Sequence, residues 1–267
     1  MSLRFITNTV WRDCAKIATN GLTIDSGSVH NLLGGPVYTG MQWTFDSQAD
    51  HVIYQRNDDY SLIADTCVIA GMEGLTDTSG YKLAYLDESS GWVDISPNET
   101  GGDAWDMTTD AAVLIGPQAD SFCLTFTEIT DAAAYRFQIV DDPPTVTTGE
   151  FQKIYFSNSL SFDVARIVKA TLTPTKETVV LNRVAYVCDY KAQILFENIT
   201  RSDLDNFKAQ HKPFEQPFFI YDSAEQYLPG KLWHVIMPEF NTDAQFDDNY
   251  QVTMTLYRLK HYADYVE

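Results

Sequence analysis

Basic residues are scarce in this chain. Its 267 residues include 18 Lys and Arg against 37 Asp and Glu, a formal net charge of −19. Gripping a polyphosphate backbone requires clustered Lys and Arg, so the composition excludes a protein that binds nucleic acid by phosphate neutralisation. Long apolar runs are missing too. None approaches the roughly 20 residues that a membrane-spanning helix needs, and Met1 to Ile17 lacks the basic-then-apolar layout of a secretory leader. No membrane partner is expected. Cysteine is rare: Cys14, Cys67, Cys123 and Cys188 lie far apart with no Cys-x-x-Cys spacing. That fits free thiols in a reducing cytoplasm better than disulfides or zinc. There is no His-Glu-x-x-His, Gly-x-Ser-x-Gly, P-loop or dinucleotide fingerprint. The expectation is therefore a protein that is not an enzyme and carries no cofactor and no metal.

What is present is apolar and aromatic. Hydrophobic residues make up 45% and aromatic residues 13%, which suits a globular chain of one large or two modest domains. The acidity is uneven: residues 1–148 carry 6 Lys and Arg against 21 Asp and Glu, and residues 149–267 carry 12 against 16. From Val37 onward, short β-like segments recur between Gly, Asn, Asp and Ser turns. Tyr81, Leu83 and Tyr85 alternate with Lys82, Ala84 and Leu86, and similar runs follow at Ser121–Phe126 and Ala134–Val140. Many short strands between turn signals indicate a β-sandwich. Asp87–Asp110 reads as a long acidic loop containing Trp92 and Trp105. Pro143 and Pro144 interrupt the alternation, so residues 141–149 are expected to link a sandwich, 1–140, to a second domain, 150–267.

One helix is expected, near residues 201–211. Thr200 suits the N-cap because its hydroxyl can accept from an otherwise unpaired first-turn amide. Asp203 supplies the acidic partner of a capping box and complements the helix dipole. Leu204, Phe207 and His211 share a face, and Pro213 prevents continuation. An apolar strand follows with Phe218 and Phe219. The last strand alternates Val252, Met254, Leu256 and Arg258 with polar residues. Before it, Glu239–Asn249 reads as a long acidic connection bearing Glu239, Asp243, Asp247 and Asp248. The fold class is all-β, with one short helix packed on a sheet.

Candidate chemistry is thin. Ser26 beside His30 lies in a polar turn, and sequence proximity does not create triad geometry. His234 falls in a strand pattern, as a packed residue. Asp87, Glu88, Asp94, Glu99, Asp103 and Asp106 lack calcium-loop spacing. Trp92 and Trp105 could stack on a sugar or simply pack over the end of the sandwich.

The second domain carries a resemblance. Phe151–Asn158 (FQKIYFSN), the turn Thr173-Pro174-Thr175-Lys176-Glu177, a long strand pair and a helix starting near Thr200 come in order. Pro217–Asp222 (PFFIYD), Trp233-x-Val235-x-Met237 and the terminal strand through Arg258 follow. This succession, over residues 134–262, resembles distal-tail and minor-tail proteins of long-tailed bacteriophages. The resemblance implies a tail-tube-like β-barrel flanked by one helix, and assembly into a hexameric ring at the tail tip or baseplate. It also implies tube and hub proteins as neighbours, with DNA passing through rather than bound. The same resemblance implies a galactose-binding-like sandwich for the first part. The alternative function is a carbohydrate-binding module that engages the host surface. In that family the ring domain usually precedes the sandwich, whereas here the order is reversed unless the first strands cross over to complete the second domain. If the ring forms, Glu239, Asp243, Asp247 and Asp248 are the candidates for an acidic channel lining.

Overall fold

The structure, a computed structural model, describes residues 2–6, 14–20, 23–28, 41–45, 51–56, 62–73, 79–95, 113–114, 121–141, 147–181, 183–211, 217–222, 224–229, 232–245 and 248–259. Strands dominate, and two compact units emerge: residues 8–158, and a discontinuous unit of 1–7 with 159–267. The first strand, β1 (Ser2–Ile6), belongs to the discontinuous unit. Residues 8–158 supply β2 (Cys14–Asn20), β3 (Thr23–Gly27), β4 (Met41–Phe45), β5 (His51–Arg56), β6 (Leu62–Glu73), β7 (Ser79–Asp87), β8 (Gly91–Asp94), β9 (Val113–Leu114), β10 (Ser121–Ala132), β11 (Ala134–Asp141) and β12 (Thr147–Ser157). The remainder supplies β13 (Ser159–Asp163), β14 (Ile167–Pro174), β15 (Thr178–Leu181), β16 (Val184–Thr200), helix α1 (Arg201–His211), β17 (Phe218–Asp222), β18 (Leu232–Ala244) and β19 (Asn249–Leu259).

Unit 8–158 is a β-sandwich. One sheet runs β10-β6-β12-β4-β3 and the other β2-β5-β11-β7-β8, with β9 also on β7; every pairing is antiparallel. Alternation decides which residues meet between the sheets. Tyr135 and Phe137 of β11, with Leu83 of β7 and Val52 of β5, point inward and are buried. Tyr135 stacks on Phe156 of the opposite sheet at 4.7 Å, and its hydroxyl donates to the Leu62 carbonyl at 3.1 Å.

The boundary differs from the expected linker at 141–149. Pro143 and Pro144 do mark an interruption, but β12 runs from Thr147 and pairs with β4 and β6 of the sandwich. The division falls between Asn158 and Ser159. Two prolines end a strand; they do not decide which sheet the next strand joins.

The discontinuous unit holds an eight-stranded sheet in the order β13-β1-β17-β18-β19-β16-β14, with β15 on β16. The two strands at the ends of this path, β13 and β14, are consecutive in the chain, separated only by the 3-10 turn Val164–Arg166. Four residue steps span at most about 14 Å, whereas a flat sheet of seven strands would set its edges about 29 Å apart. The sheet therefore curls towards a barrel. Its core is aromatic. Phe5 of β1 touches Phe162 and Phe207, both with ring centres at 5.2 Å, and lies 6.4 Å from Phe196 and Phe218. The N-terminal strand thus supplies the middle of a core built otherwise from residues after 159.

Helix α1 covers this core with Leu204 and Phe207, both buried. Thr200 caps it: the Asp203 amide donates to the Thr200 hydroxyl at 3.1 Å. Thr200→Ala is expected to cost about 1 kcal/mol, and chemical unfolding of the full chain would measure it. Asp203 does not complete the expected capping box. Its carboxylate accepts from Arg166 at 3.0 Å, so it ties the helix to the 3-10 turn. Phe218 joins the helix-facing core, but Phe219, next along the strand, faces the other side and stacks on His234 at 4.3 Å.

The expected connection Glu239–Asn249 is instead mostly strand. β18 extends to Ala244, β19 starts at Asn249, and Glu239↔Thr255 through Ala244↔Tyr250 are paired. Phe240 packs towards the core beside Phe207, while Glu239, Asn241 and Asp243 between its neighbours are exposed. Acidic residues on the solvent side of an alternating strand look like a loop in composition.

Candidate functional site

The most site-like features of the sandwich begin at the β7–β8 hairpin. Asp87 accepts from the amides of Ser89 and Ser90 at 2.9 and 2.7 Å and from the Ser89 hydroxyl at 2.6 Å. The Ser89 hydroxyl bond, followed by the two backbone amides and the Ser90 hydroxyl, pulls the Asp87 carboxyl down to about 2. Gly91 sits at φ +81, a backbone conformation open to glycine at no steric cost. This turn makes residues 91–94 a strand, so Trp92 does not sit in the expected loop Asp87–Asp110. Trp105 lies outside the described residues.

Register then places the side chains. Trp92 is opposite Leu86, which is opposite Ala134; Asp94 is opposite Ala84, which is opposite Arg136. These residues share the sheet face turned away from Tyr135 and Phe137. Trp92 is 37% exposed, and the Arg136 guanidinium carbon lies 4.6 Å from its ring centre, a cation–π distance. Burial lowers the Arg136 pKa, and the charge of Asp94 opposes that shift. On the other side of the same edge, an open groove of about 490 Å³ is lined by Tyr85, Val93, Ile95 and Phe126 with Asp87, Asp94, Glu128 and Asp131.

In the discontinuous unit, apolar exposure concentrates on the β14–β15–β16 end of the sheet. Val168, Leu172, Val180 and Val184 are four of the seven large hydrophobic residues exposed among the described ones, with Val180 at 63%. The hydrogen-bonding edge of β14 is blunted by a register shift at Val168 and by Pro174 at its end, devices that discourage strand-on-strand aggregation. At the base of this arm Arg258 donates to Asp189 at 2.8 Å. Its guanidinium also stands over Tyr190 and Trp233, at 4.4 and 4.9 Å.

The other sequence candidates are dispersed. Glu239 accepts from Thr255 at 3.2 Å, Asp243 and Asp248 are exposed, and Asp247 is outside the described residues. Ser26 donates to Gln42 at 2.8 Å; His30 is outside the described residues, as are Glu99, Asp103 and Asp106. Burial pushes the Cys67 thiol well above its ordinary value, and burial followed by the charge of Asp189 pushes Cys188 up to about 12, so both stay protonated at neutral pH. Among the described residues no group of three or more His, Cys, Asp or Glu is placed to hold a metal, and no helix is long and apolar enough to cross a membrane. Sequence reasoning missed Arg136, because only the register of β11 against β7 and β8 brings it beside Trp92.

Comparison with known proteins finds no matching family model and no match among curated proteins. Solved structures similar to this chain include carbohydrate-binding modules. One is the CBM32 of AlyQ in complex with 4,5-unsaturated mannuronic acid, with TM-score 0.37 and 12% identity over 53% of this chain and 93% of that one. Another is a pectin-binding carbohydrate-binding module, with TM-score 0.32 and 13% identity over 53% and 91%. A third is chitosan-binding module 1 from a chitosanase/glucanase of Paenibacillus sp. IK-5, with TM-score 0.35 and 12% identity over 56% and 98%. Likenesses at such scores and identities establish neither a family nor a ligand for this chain.

Proposed function

We propose that this chain is a non-catalytic structural subunit of a bacteriophage tail tip, whose discontinuous unit joins neighbouring copies into a ring, sixfold in form, around the DNA channel. The observation that carries the reading is the route of the chain. The tail proteins that residues 134–262 resemble place the ring domain ahead of the sandwich; here one strand of that unit precedes the sandwich and the rest follows it. With β1 paired between β13 and β17, the barrel-like unit both opens and closes the chain, and the sandwich is an insertion within it. None of the three structures named above is a tail protein, so the reading rests on the chain's own order and on its exposed surfaces. Val180 on one face of the β15–β16 hairpin and Val184 on the other offer side chains for contacts between copies, as do Val168 and Leu172 of β14, and the blunted edge of β14 directs those contacts to side chains rather than to backbone pairing. Glu239, Asp243 and Asp248 turned towards a channel would repel passing DNA; tube and hub proteins would be the axial neighbours.

Native mass spectrometry of the full chain at rising concentration tests the reading. Cyclic species are expected, and Val180→Asp combined with Val184→Asp should shift them to monomer without lowering the unfolding midpoint. A chain that stays monomeric, and that stands as an isolated spike in reconstructions of the particles that contain it, would overturn the ring.

A second reading, a carbohydrate-binding role for the sandwich, is favoured by one observation: Trp92 is exposed on a sheet edge beside a guanidinium and a carboxylate. A glycan array probed with the full chain tests it; binding to no glycan would remove it.

A further inference from the structure

We propose that Trp92, Arg136 and Asp94 form a binding site for a neutral sugar on the outer face of the six-stranded sheet, an inference that rests on the carbohydrate-binding reading. The floor of the site is Ala84 and Leu86 of β7, in register between β8 and β11, with Ala134 of β11 opposite Leu86. Ala84 and Ala134 are each only 1% exposed although they lie on the outer face. In register Ala84 lies between Asp94 and Arg136, and Ala134 between Leu86 and Gln55; Trp92, opposite Leu86, reaches across β7 to meet the Arg136 guanidinium. The small Ala84 beside Leu86 leaves room on β7 for the indole and the guanidinium to meet across that strand.

The chemistry of the three groups matches a pyranose ring. A sugar presents an apolar C–H surface on one side and paired hydroxyls around its rim. Indole offers a flat apolar partner with a polar rim. The guanidinium offers a planar fork of N–H donors for neighbouring oxygens, and an ionised carboxylate accepts from hydroxyls. Charge sets the class of sugar. Arg136 and Asp94 cancel each other locally, while residues 8–158 hold 6 Lys and Arg against 22 Asp and Glu, a field that disfavours uronic acids.

The competing account is that Trp92 and Arg136 only pack over β7. Saturation-transfer NMR of the full chain separates the two, with the methyl glycosides of glucose, galactose, mannose and glucuronic acid as probes. At least one neutral glycoside should give signals, strongest from its ring C–H protons, and the glucuronide weaker ones. Trp92→Ala should weaken that binding by about tenfold or more. Trp92→Phe, which keeps an aromatic surface over β7, should retain part of it, and Asp94→Asn should weaken it without moving the melting temperature. Neutral-sugar binding that survives Trp92→Phe and Asp94→Asn at full strength would overturn the site while leaving the carbohydrate reading intact. Preference for the glucuronide would overturn the neutral class. Failure of every probe and of the glycan array with the unaltered chain would remove the reading and the site together.

Discussion

Replacing Phe207 with alanine should destabilise the discontinuous unit by about 3–5 kcal/mol. The ring is fully buried and is held on several sides: Phe5 at 5.2 Å, Phe162 at 5.7 Å and Phe240, stacked, at 5.5 Å. Each of those rings belongs to a different strand, so the space left by truncation cannot close by moving one element. Besides these, α1 makes smaller contacts, among them Lys208 over the Phe240 ring at 5.6 Å and the Arg201 amide on the Asp248 carbonyl at 3.1 Å. Its other core residue is Leu204, its cap is Thr200, and its ion pairs Arg166–Asp203 and Arg201–Asp205 are both substantially exposed, where such pairs contribute from nothing to about 1 kcal/mol. Phe5→Ala should cost a similar amount, and the double variant less than the sum, because the two rings touch and the second truncation enlarges an existing cavity. Urea unfolding of the full chain reads all three. A midpoint unmoved by Phe207→Ala would show that the helix does not close this core.

The helix was legible because its signals are local: a cap, a shared face and a proline within about a dozen residues. The last strand was legible for the same reason, since Val252, Met254 and Leu256 alternate and are all buried. What escaped was set by partners distant in sequence. Nothing in Ser2–Ile6 says that its neighbours will be Ser159–Asp163 and Phe219–Asp222, and nothing in Thr147–Ser157 says that it will pair backwards with Met41–Phe45. Hydrophobic alternation gives the face of a strand and leaves its neighbour open. The acid-rich stretches failed differently. At Glu239–Ala244 the outward residues are acidic or polar, which hid Phe240 on the inward side; at Asp87–Gly91 the signal was present, an Asp followed by serines and a glycine, and it marks a tight turn rather than the start of a long loop.

The candidate site shows the same division. Trp92 could be singled out from the sequence as an aromatic in an acidic neighbourhood. Its setting could not, because Arg136 lies two strands away, across Leu86 and Ala84 of β7. In the discontinuous unit, Val180 and Val184 look like ordinary strand residues, and only the position of the β15–β16 hairpin beyond the curled sheet leaves them exposed.

Replacing Asp222 with alanine should cost about 3–5 kcal/mol, and replacing it with asparagine about 1–3 kcal/mol. Asp222 is the one buried carboxylate among the described residues. It ends β17 and organises the turn that leads to β18. One oxygen accepts from the Ala224 amide at 3.3 Å, and the other from Tyr227 and Leu228 at 2.7 and 3.1 Å. The same turn carries Leu228 into the core and presents the Pro229 carbonyl to the Trp233 indole at 2.7 Å. Alanine removes the acceptor for all three amides, and the Leu228 amide, inside the protein, has poor access to water as a substitute. Asparagine keeps one oxygen, enough for the paired Tyr227 and Leu228 amides, but turns a donor towards Ala224. The order of stability should therefore be Asp, then Asn, then Ala, with Trp233 fluorescence responding in the same order because its hydrogen bond depends on the turn. Equal losses for Asn and Ala would mean that the negative charge, and not the number of acceptors, holds the turn. No loss for either would mean that the turn is set by Leu228 alone. If the order holds, one carboxylate at the end of an apolar strand fixes where β18 begins, and with it the register that sends Trp233, Val235 and Met237 into the core.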